Sequence, residues 1–136
     1  MDLNIQPKKG LGQITFGMPI ETIISIIGQA QDVECIDNAA DESTTVLHYD
    51  NGLTLFCEGD SPTLSCIDLS DDGAMLFGHK VFNMKENEIV QLMVKNNFFE
   101  QDADMEDWGE RRITFNEANI DFYFDEGELT SIILGK

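Results

Sequence analysis

The chain has 136 residues and a formal net charge of −18, from 26 acidic and 8 basic side chains. A chain of this length builds one domain that buries about two-thirds of its unfolded surface, and no apolar run reaches the roughly 18 residues of a membrane-spanning helix. No lysine or arginine lies between Lys9 and Lys80. Such a one-sided negative surface repels phosphate backbones and anionic lipids, which excludes nucleic acids and membranes as partners, and its self-repulsion favours a monomer.

The first half of the chain combines one helical pattern with several strand patterns. The segment FGMPIETIISII begins at Phe16, and its isoleucines recur three and four positions apart. This spacing predicts an amphipathic helix with Glu21 in its first turn and Gly28 at its end. The alternating segments TTVLHY, LTLFC and TLSCIDL follow as predicted strands, and the turn at Asn51 and Gly52 joins the first two in a hairpin.

The second half repeats this plan after a shift of about 66 positions. The segment FNMKENEIVQLM begins at Phe82 and predicts a helix with Glu86 and Glu88 in its first turn. The segments RRITF, IDFYF and LTSIIL then predict three strands. The pattern indicates a single domain, 1–136, built of two tandem β-α-β-β-β repeats over about 12–70 and 77–135. The predicted fold is α+β, with two antiparallel sheets packed together and two helices.

Each repeat contains an acidic stretch, at 32–43 and 100–110, that we expect to be an irregular connector. The second stretch, EQDADMEDWGE, has carboxylates at alternating positions, as calcium loops do. A calcium loop of the EF-hand type requires glycine at its sixth position and glutamate at its twelfth. Counted from Asp102, these positions hold Asp107 and Ile113. The sequence therefore predicts neither a dedicated metal site nor a cofactor.

The three cysteines are Cys35, Cys57 and Cys66, an odd number without the CxxC spacing of metal and redox sites. They are interpreted as reduced thiols of a cytoplasmic protein, and a bridge between Cys57 and Cys66 across a hairpin is the alternative. The N-terminal residues lack the apolar core of a secretion signal, in agreement with a cytoplasmic location.

No catalytic motif is present, and the expectation is that the protein is not an enzyme. His48 lies within a predicted strand and His79 in a connector, without the sequence surroundings of a hydrolase, a metalloprotease or a nucleotide-binding loop. A pair of Cys57 with His48 across the hairpin is conceivable, but a nucleophilic thiol needs positive neighbours, and this region has none. The predicted set of catalytic residues is empty.

A binding face for a basic protein is the remaining interpretation of the acidity. Trp108 lies in the most acidic stretch, either as an anchor for a partner or as a staple that holds the loop on its own sheet. Tryptophan surrounded by carboxylates suits a basic surface. The predicted partner-binding residues are Asp102, Asp104, Glu106, Asp107, Trp108, Glu110, Asp71 and Asp72.

Several short segments carry a family resemblance: Phe16 to Met18, Ile27-Gly28, Asn51 to Leu53 and Leu55-Phe56. They resemble the small repeat of β-lactamase-inhibitor-type and outer-membrane-assembly lipoprotein domains, and two such units also look like the Whirly-type architecture. Small acidic proteins of this build are similar to the immunity proteins of bacterial contact-dependent growth inhibition and other polymorphic toxin systems. The resemblance implies a cytoplasmic immunity protein that binds and occludes a basic toxin domain, a nuclease. The alternative is a non-enzymatic protein-binding scaffold domain of the outer-membrane-assembly lipoprotein kind.

Overall fold

A computed structural model describes residues 1–37 and 43–136. The helices are α1 (Ile20–Ile27) and α2 (Glu86–Lys95), with a short 3₁₀ helix at Val81–Asn83. The strands of the described residues are β1 (Asn4–Gln6), β2 (Gly10–Leu11), β3 (Ile14–Thr15), β4 (Asp32–Asp37), β5 (Ser43–Tyr49), β6 (Leu53–Glu58), β7 (Thr63–Leu69), β8 (Met75–Leu76), β9 (His79–Lys80), β10 (Gln101–Met105), β11 (Arg111–Phe115), β12 (Ile120–Asp125) and β13 (Glu128–Gly135).

The strands form two sheets of very different size. The larger has eight antiparallel strands in the order β10-β11-β12-β13-β7-β6-β5-β4, and the smaller has five in the order β3-β2-β1-β8-β9. Each helix is followed by a four-stranded meander, and the two meanders join where β7 pairs with β13, with Leu69 opposite Ile132. The small sheet also joins the two halves, because β1 pairs with β8 in parallel. The predicted α+β class, with two sheets and two helices, is confirmed, but the prediction that both sheets are antiparallel is wrong, because β1 and β8 pair in parallel in the small sheet.

Both predicted helices are present, and the first ends at Gly28 as expected. In α1 the side chain of Ile23 is buried, and Gly28 ends the helix with a φ of 91° that other residues adopt only at a cost. In α2 the carboxylate of Glu88 accepts a hydrogen bond from the backbone N–H of Lys85 at 2.8 Å, which satisfies a donor at the helix start. Asn97, at φ 71°, follows its end.

One face of the large sheet, here called the inner face, carries the core. Its side chains form a single hydrophobic cluster with residues of both helices and of the small sheet. Alternation explains the pattern, since successive residues of a strand point to opposite faces. In β12, Phe122 and Phe124 are buried in this cluster, whereas Tyr123 points to the opposite, outer face and is half-buried.

The acidic stretches differ from the expectation of irregular connectors. Residues 32–37 of the first stretch form β4 and residues 101–105 of the second form β10, the two edge strands of the large sheet, and residues 106–110 are the loop that follows β10. All five residues of β10 are exposed. An edge strand that is solvated on both faces shows no apolar alternation, so the sequence carries no period that would indicate a strand. The described end of the first stretch is Asp37; positions 38–42 lie outside the described residues.

The cysteines are free, and Cys57 and Cys66 lie on opposite faces of the sheet. The register of β6 and β7 shifts next to Cys57, so that Cys57 pairs with Leu64 while Cys66 pairs with Phe56. Cys57 is buried in the core, and Cys66 is half-buried on the outer face. Thiols on opposite faces of one sheet cannot reach each other, which rules out the alternative of a Cys57–Cys66 bridge.

Candidate functional site

The hairpin of β10 and β11 presents most of the predicted partner-binding residues. The strands pair without a bulge from Gln101 opposite Phe115 to Met105 opposite Arg111. The loop between them is closed by the backbone N–H of Glu106, which donates to the carbonyl oxygen of Glu110 at 2.8 Å. Gly109, at φ 101°, permits this tight return. The hairpin is therefore an ordered element that fixes where its side chains point.

Trp108 lies at the end of this hairpin, on the outer face of the large sheet. Its ring stacks on that of Tyr123, with centroids 6.2 Å apart and planes 30° apart. Its indole N–H donates to Oε1 of Glu110 at 2.6 Å. The side chain nevertheless remains 63% exposed. Trp108 is thus held on its own sheet by two contacts, while most of its surface stays available to solvent.

Glu110 is the polar support of this tryptophan. Besides the indole N–H, its carboxylate accepts a hydrogen bond from the hydroxyl of Thr130 on β13. The same hydroxyl lies 3.0 Å from the backbone carbonyl oxygen of Tyr123. Glu110 is half-buried, and its carboxylate already accepts two hydrogen bonds from groups of its own chain. It positions Trp108 and is less available to a partner than its neighbours are.

Arg112 is the one basic side chain at the centre of these carboxylates in the described part of the chain. Its Nη1 lies 3.1 Å from Oε1 of Glu106 and its Nη2 lies 3.9 Å from Oδ2 of Asp104. Its Nε is buried and has no hydrogen-bond partner among the described residues. Arg112 therefore forms a close ion pair with Glu106. Its ion pair with Asp104 is weak, because 3.9 Å is near the longest distance at which an ion pair is counted.

The remaining carboxylates are exposed. Asp102 accepts a hydrogen bond from the side-chain amide of Asn116 at 2.9 Å, and Asp107 has no hydrogen-bond or ion-pair partner in the described part of the chain. Together they leave a negative field around the aromatic pair. Burial raises the pKa of the Tyr123 hydroxyl, and the charges of Asp121 and Glu106 raise it further, so this hydroxyl stays protonated at neutral pH.

We call these residues the Trp108 surface: Asp102, Asp104, Glu106, Asp107, Trp108, Glu110 and Tyr123. Sequence patterns did not identify Tyr123 as a part of it, nor Arg112 and Thr130 as the side chains that contact its carboxylates. The alternation of IDFYF does place Tyr123 on the face opposite the core. Its contact with Trp108, however, depends on the register of β11 and β12, which no local pattern reveals.

Asp71 and Asp72 are not part of the Trp108 surface. They lie after β7, in the turn that leads to β8, where the Asp71 carboxylate accepts a hydrogen bond from the backbone N–H of Gly73 at 2.8 Å. In the large sheet β7 is four strands away from β10. At about 4.8 Å per strand, the separation of the two strands is about 19 Å. The structure thus divides the predicted binding residues into two separate groups.

The pairs considered for catalysis or redox chemistry are not assembled. His48 pairs with Thr54 and lies on the outer face, where its Nε2 is 2.7 Å from a carboxylate oxygen of Glu34. Cys57 points to the opposite face. Burial raises the pKa of Cys57 and of Cys66 to about 11, so both remain thiols at neutral pH and are weak nucleophiles.

Within residues 1–37 and 43–136, no three histidine, cysteine, aspartate or glutamate side chains are grouped so that they could hold a metal ion. None of the helices in this part of the chain is long and apolar enough to cross a membrane.

Comparisons with known proteins give a fold likeness at low sequence identity. No protein-family model matches the sequence, and no curated protein is similar to it. The chain is similar to the crystal structure of an extracellular protein containing a SCP domain from Bacillus anthracis str. Ames, with a TM-score of 0.50 and 12% identity over 95% of this chain and 49% of that one. It also matches a cysteine-rich secretory protein from Staphylococcus aureus subsp. aureus Mu50, with a TM-score of 0.48 and 14% identity over 96% of this chain and 47% of that one. The chain therefore spans about half the length of both solved proteins.

This likeness overturns the family assignment made from the sequence. The fold is shared with part of an extracellular protein, so the predicted immunity protein of contact-dependent growth inhibition is wrong, and so are its cytoplasmic location and its role as a toxin inhibitor. The alternative of an outer-membrane-assembly scaffold domain finds no support either. The resemblance rested on apolar period, element order and acidity. Those properties follow from packing and solvation and are common to unrelated α+β domains.

Proposed function

We propose that the chain is a non-catalytic interaction domain that binds a basic protein segment through the Trp108 surface and acts outside the cytoplasm. The observation that carries this proposal is the 63% exposure of a tryptophan that two contacts already hold in place. The location is supported by the fold that the chain shares with half of an extracellular protein.

The chemistry of the Trp108 surface matches that of arginine and lysine. A guanidinium group stacks on an indole ring and pairs with carboxylates at the same time, and tryptophan is the strongest aromatic partner of a cation. Asp104 and Asp107 flank Trp108 along the chain and are exposed. A cation above the indole would therefore meet both an aromatic face and exposed carboxylates.

Binding at this surface also requires little ordering. Tyr123 and Glu110 fix the indole before a partner arrives, so the rotamer entropy of Trp108 has already been lost on folding. The net charge of −18 attracts basic partners over distances longer than a contact and raises the association rate. The same charge repels a second copy of the chain, and we therefore propose that the protein is a monomer.

The proposal is tested with an acetylated and amidated pentaarginine peptide, whose affinity is measured by calorimetry. Replacing Asp102, Asp104 and Asp107 together by asparagine should weaken the affinity about tenfold at 0.1 M salt, because each exposed ion pair contributes about 0.2–1 kcal/mol. The slope of affinity against salt concentration should also decrease.

A control variant removes the same charge elsewhere. Glu21→Gln, Asp50→Asn and Asp60→Asn change exposed side chains in α1 and in turns of the first half. We expect this variant to lose less than about twofold, because salt screens charges that are more than about 10 Å from the peptide. Equal losses in the two triple variants would show that the peptide senses only the total charge, and the proposed surface would then be wrong.

The repeat organisation belongs to the same set of proposals. We infer that the halves are copies of one unit, since α1 and α2 are each followed by a four-stranded meander. Two isolated bridges support this: Pro19 pairs with Thr63 and Lys85 pairs with Glu128. Pro19 and Lys85 are 66 positions apart, which equals the shift that aligns the two halves of the sequence. Alignments of homologous chains should preserve the offset, and a different offset in most of them would contradict the duplication.

A further inference from the structure

The outer edge of β10 has backbone groups that no other strand of residues 1–37 and 43–136 uses. Two hydrogen bonds, one at each end of the pair of β10 and β11, show which residues of β10 bond to β11. The N–H of Asn116 donates to the carbonyl oxygen of Glu100 at 3.3 Å, and the N–H of Glu106 donates to the carbonyl oxygen of Glu110 at 2.8 Å. In an antiparallel pair such bonds occur at every second residue. The even-numbered residues of β10 therefore bond to β11.

The odd-numbered residues Gln101, Ala103 and Met105 consequently direct their N–H and C=O groups away from the sheet. Met105 shows this directly, because its N–H bonds to the carboxylate of Asp104 at 2.8 Å and not to β11. β10 is the last strand of the sheet, and no bulge interrupts its pairing. It is thus a straight edge on which another strand can pair.

The side chains of β10 differ between its two faces. Asp102 and Asp104 lie on the outer face with Trp108, whereas Ala103 and Met105 lie on the inner face, opposite Ile113 and Arg111. Met105 is 59% exposed although its face continues the core layer. A strand added beside β10 would therefore meet carboxylates on one face and apolar atoms on the other.

The charges on this edge select the kind of strand that can be added. In a second copy of the chain paired through β10, Asp102 and Asp104 would face further carboxylates, and like charges opposite each other are destabilising. A strand with basic side chains at alternate positions would instead place them beside Asp102 and Asp104 and below Trp108. This edge is suited to a cationic partner and unsuited to self-association.

We infer that the partner of the Trp108 surface binds as an extended segment that adds a ninth strand to β10, with basic and apolar side chains in alternation. This inference rests on the proposed function, because it specifies how the basic segment is held. Main-chain bonds to Gln101, to Ala103 and to the carbonyl oxygen of Met105, whose N–H already bonds to Asp104, provide the affinity that is independent of side chains. Alternate side chains provide the selectivity.

Two peptides of identical composition test the alternation. Capped RVRVR can place all three arginines on the carboxylate face, whereas capped RRVVR cannot, although both carry the same charge. We expect RVRVR to bind about tenfold more tightly, because only this peptide can place all three arginines on the carboxylate face and both valines on the apolar face, and each cross-strand pair contributes about 0.2–1 kcal/mol. Equal affinities would contradict strand addition and leave the basic-surface proposal intact.

Substitutions at Ala103 test the backbone. Ala103→Pro removes an outward N–H without removing a bond to β11, and an edge strand tolerates proline when that N–H faces solvent. It should abolish the preference for RVRVR, while Ala103→Ser, which keeps the N–H, should preserve it. Val33→Pro should also preserve it, since Val33 lies on the opposite edge strand β4, where its N–H bonds to the side chain of its neighbour Asp32.

The unfolding midpoint and the affinity for pentaarginine verify that each variant is folded and retains its charged surface. If Ala103→Pro is folded and still prefers RVRVR, the segment does not pair with β10. Suppose that neither the unchanged protein nor the Ala103 and Val33 variants prefer RVRVR to RRVVR, while the triple asparagine variant still loses affinity for pentaarginine. The surface then binds cations without strand addition. If the triple asparagine variant loses nothing beyond its control, the proposed function itself is refuted.

Discussion

Replacing Phe122 by alanine should lower the free energy of unfolding by about 3–5 kcal/mol, the usual cost of truncating a buried phenylalanine. Phe122 is fully buried on the inner face and packs edge-on against Phe115, with ring centroids 5.9 Å apart. It lies in β12, among strands from the second half of the chain, so its loss should weaken the whole domain. Total stabilities of domains are about 5–15 kcal/mol, and urea unfolding followed by circular dichroism would show the midpoint move far to lower urea.

Phe99→Ala is the matched control, because Phe99 is 59% exposed and precedes β10. Its effect should stay within about 0.5 kcal/mol, as for most surface substitutions. Similar losses in the two variants would mean that the inner face of the large sheet is not the centre of the core.

Replacing Trp108 by alanine should reduce the affinity for pentaarginine about thirtyfold, the effect of losing an interface hot spot of about 2 kcal/mol. The physical reason is that the indole offers the cation its aromatic face. Stability should fall by only about 1 kcal/mol, since the side chain is largely exposed and its stacking on Tyr123 is one aromatic pair. Calorimetry measures the affinity, and urea unfolding measures the stability.

Trp108→Phe is informative as a companion variant. It keeps an aromatic ring above Tyr123 but lacks the indole N–H that bonds to Glu110. We expect a loss of only a few-fold, because phenylalanine is a weaker cation partner than tryptophan. If alanine at this position binds pentaarginine as tightly as tryptophan does, Trp108 is a structural staple only, and the partner contact lies elsewhere.

The regular elements of the core could be predicted from local pattern. Ile23 and Ile89 belong to apolar stripes of helical period, and both are buried in the structure. Leu53 and Leu55 follow the period of two that a half-buried strand requires, and both lie in the core. Burial on one face imposes these periods, so the sequence reveals them.

The edge strands could not be predicted in the same way. Asp102, Asp104 and the residues between them have no buried face, and nothing in their environment selects a period of two. Hydrogen bonds to β11 make this segment a strand, and these bonds are formed by the backbone. β10 is therefore a strand because it pairs with β11, and the composition of the segment does not indicate this pairing.

The position of Trp108 likewise depended on tertiary pairing. The sequence left open whether the indole anchors a partner or pins its own loop. The register that places Arg112 opposite Tyr123 brings the two aromatic rings together across β11 and β12. The family assignment failed for a related reason: acidity and element order describe solvation and packing, and neither is a property of one family.

The most direct test of strand addition at the Trp108 surface is a titration of ¹⁵N-labelled protein with the RVRVR peptide, followed by amide chemical shifts. The chain contains a single tryptophan, so one indole resonance reports on Trp108 without ambiguity. Strand addition should place the largest changes on this indole and on the amides of Gln101 and Ala103, whose N–H groups face the added strand. Changes centred on β4, on Asp71 and Asp72, or spread evenly over the acidic surface would contradict it.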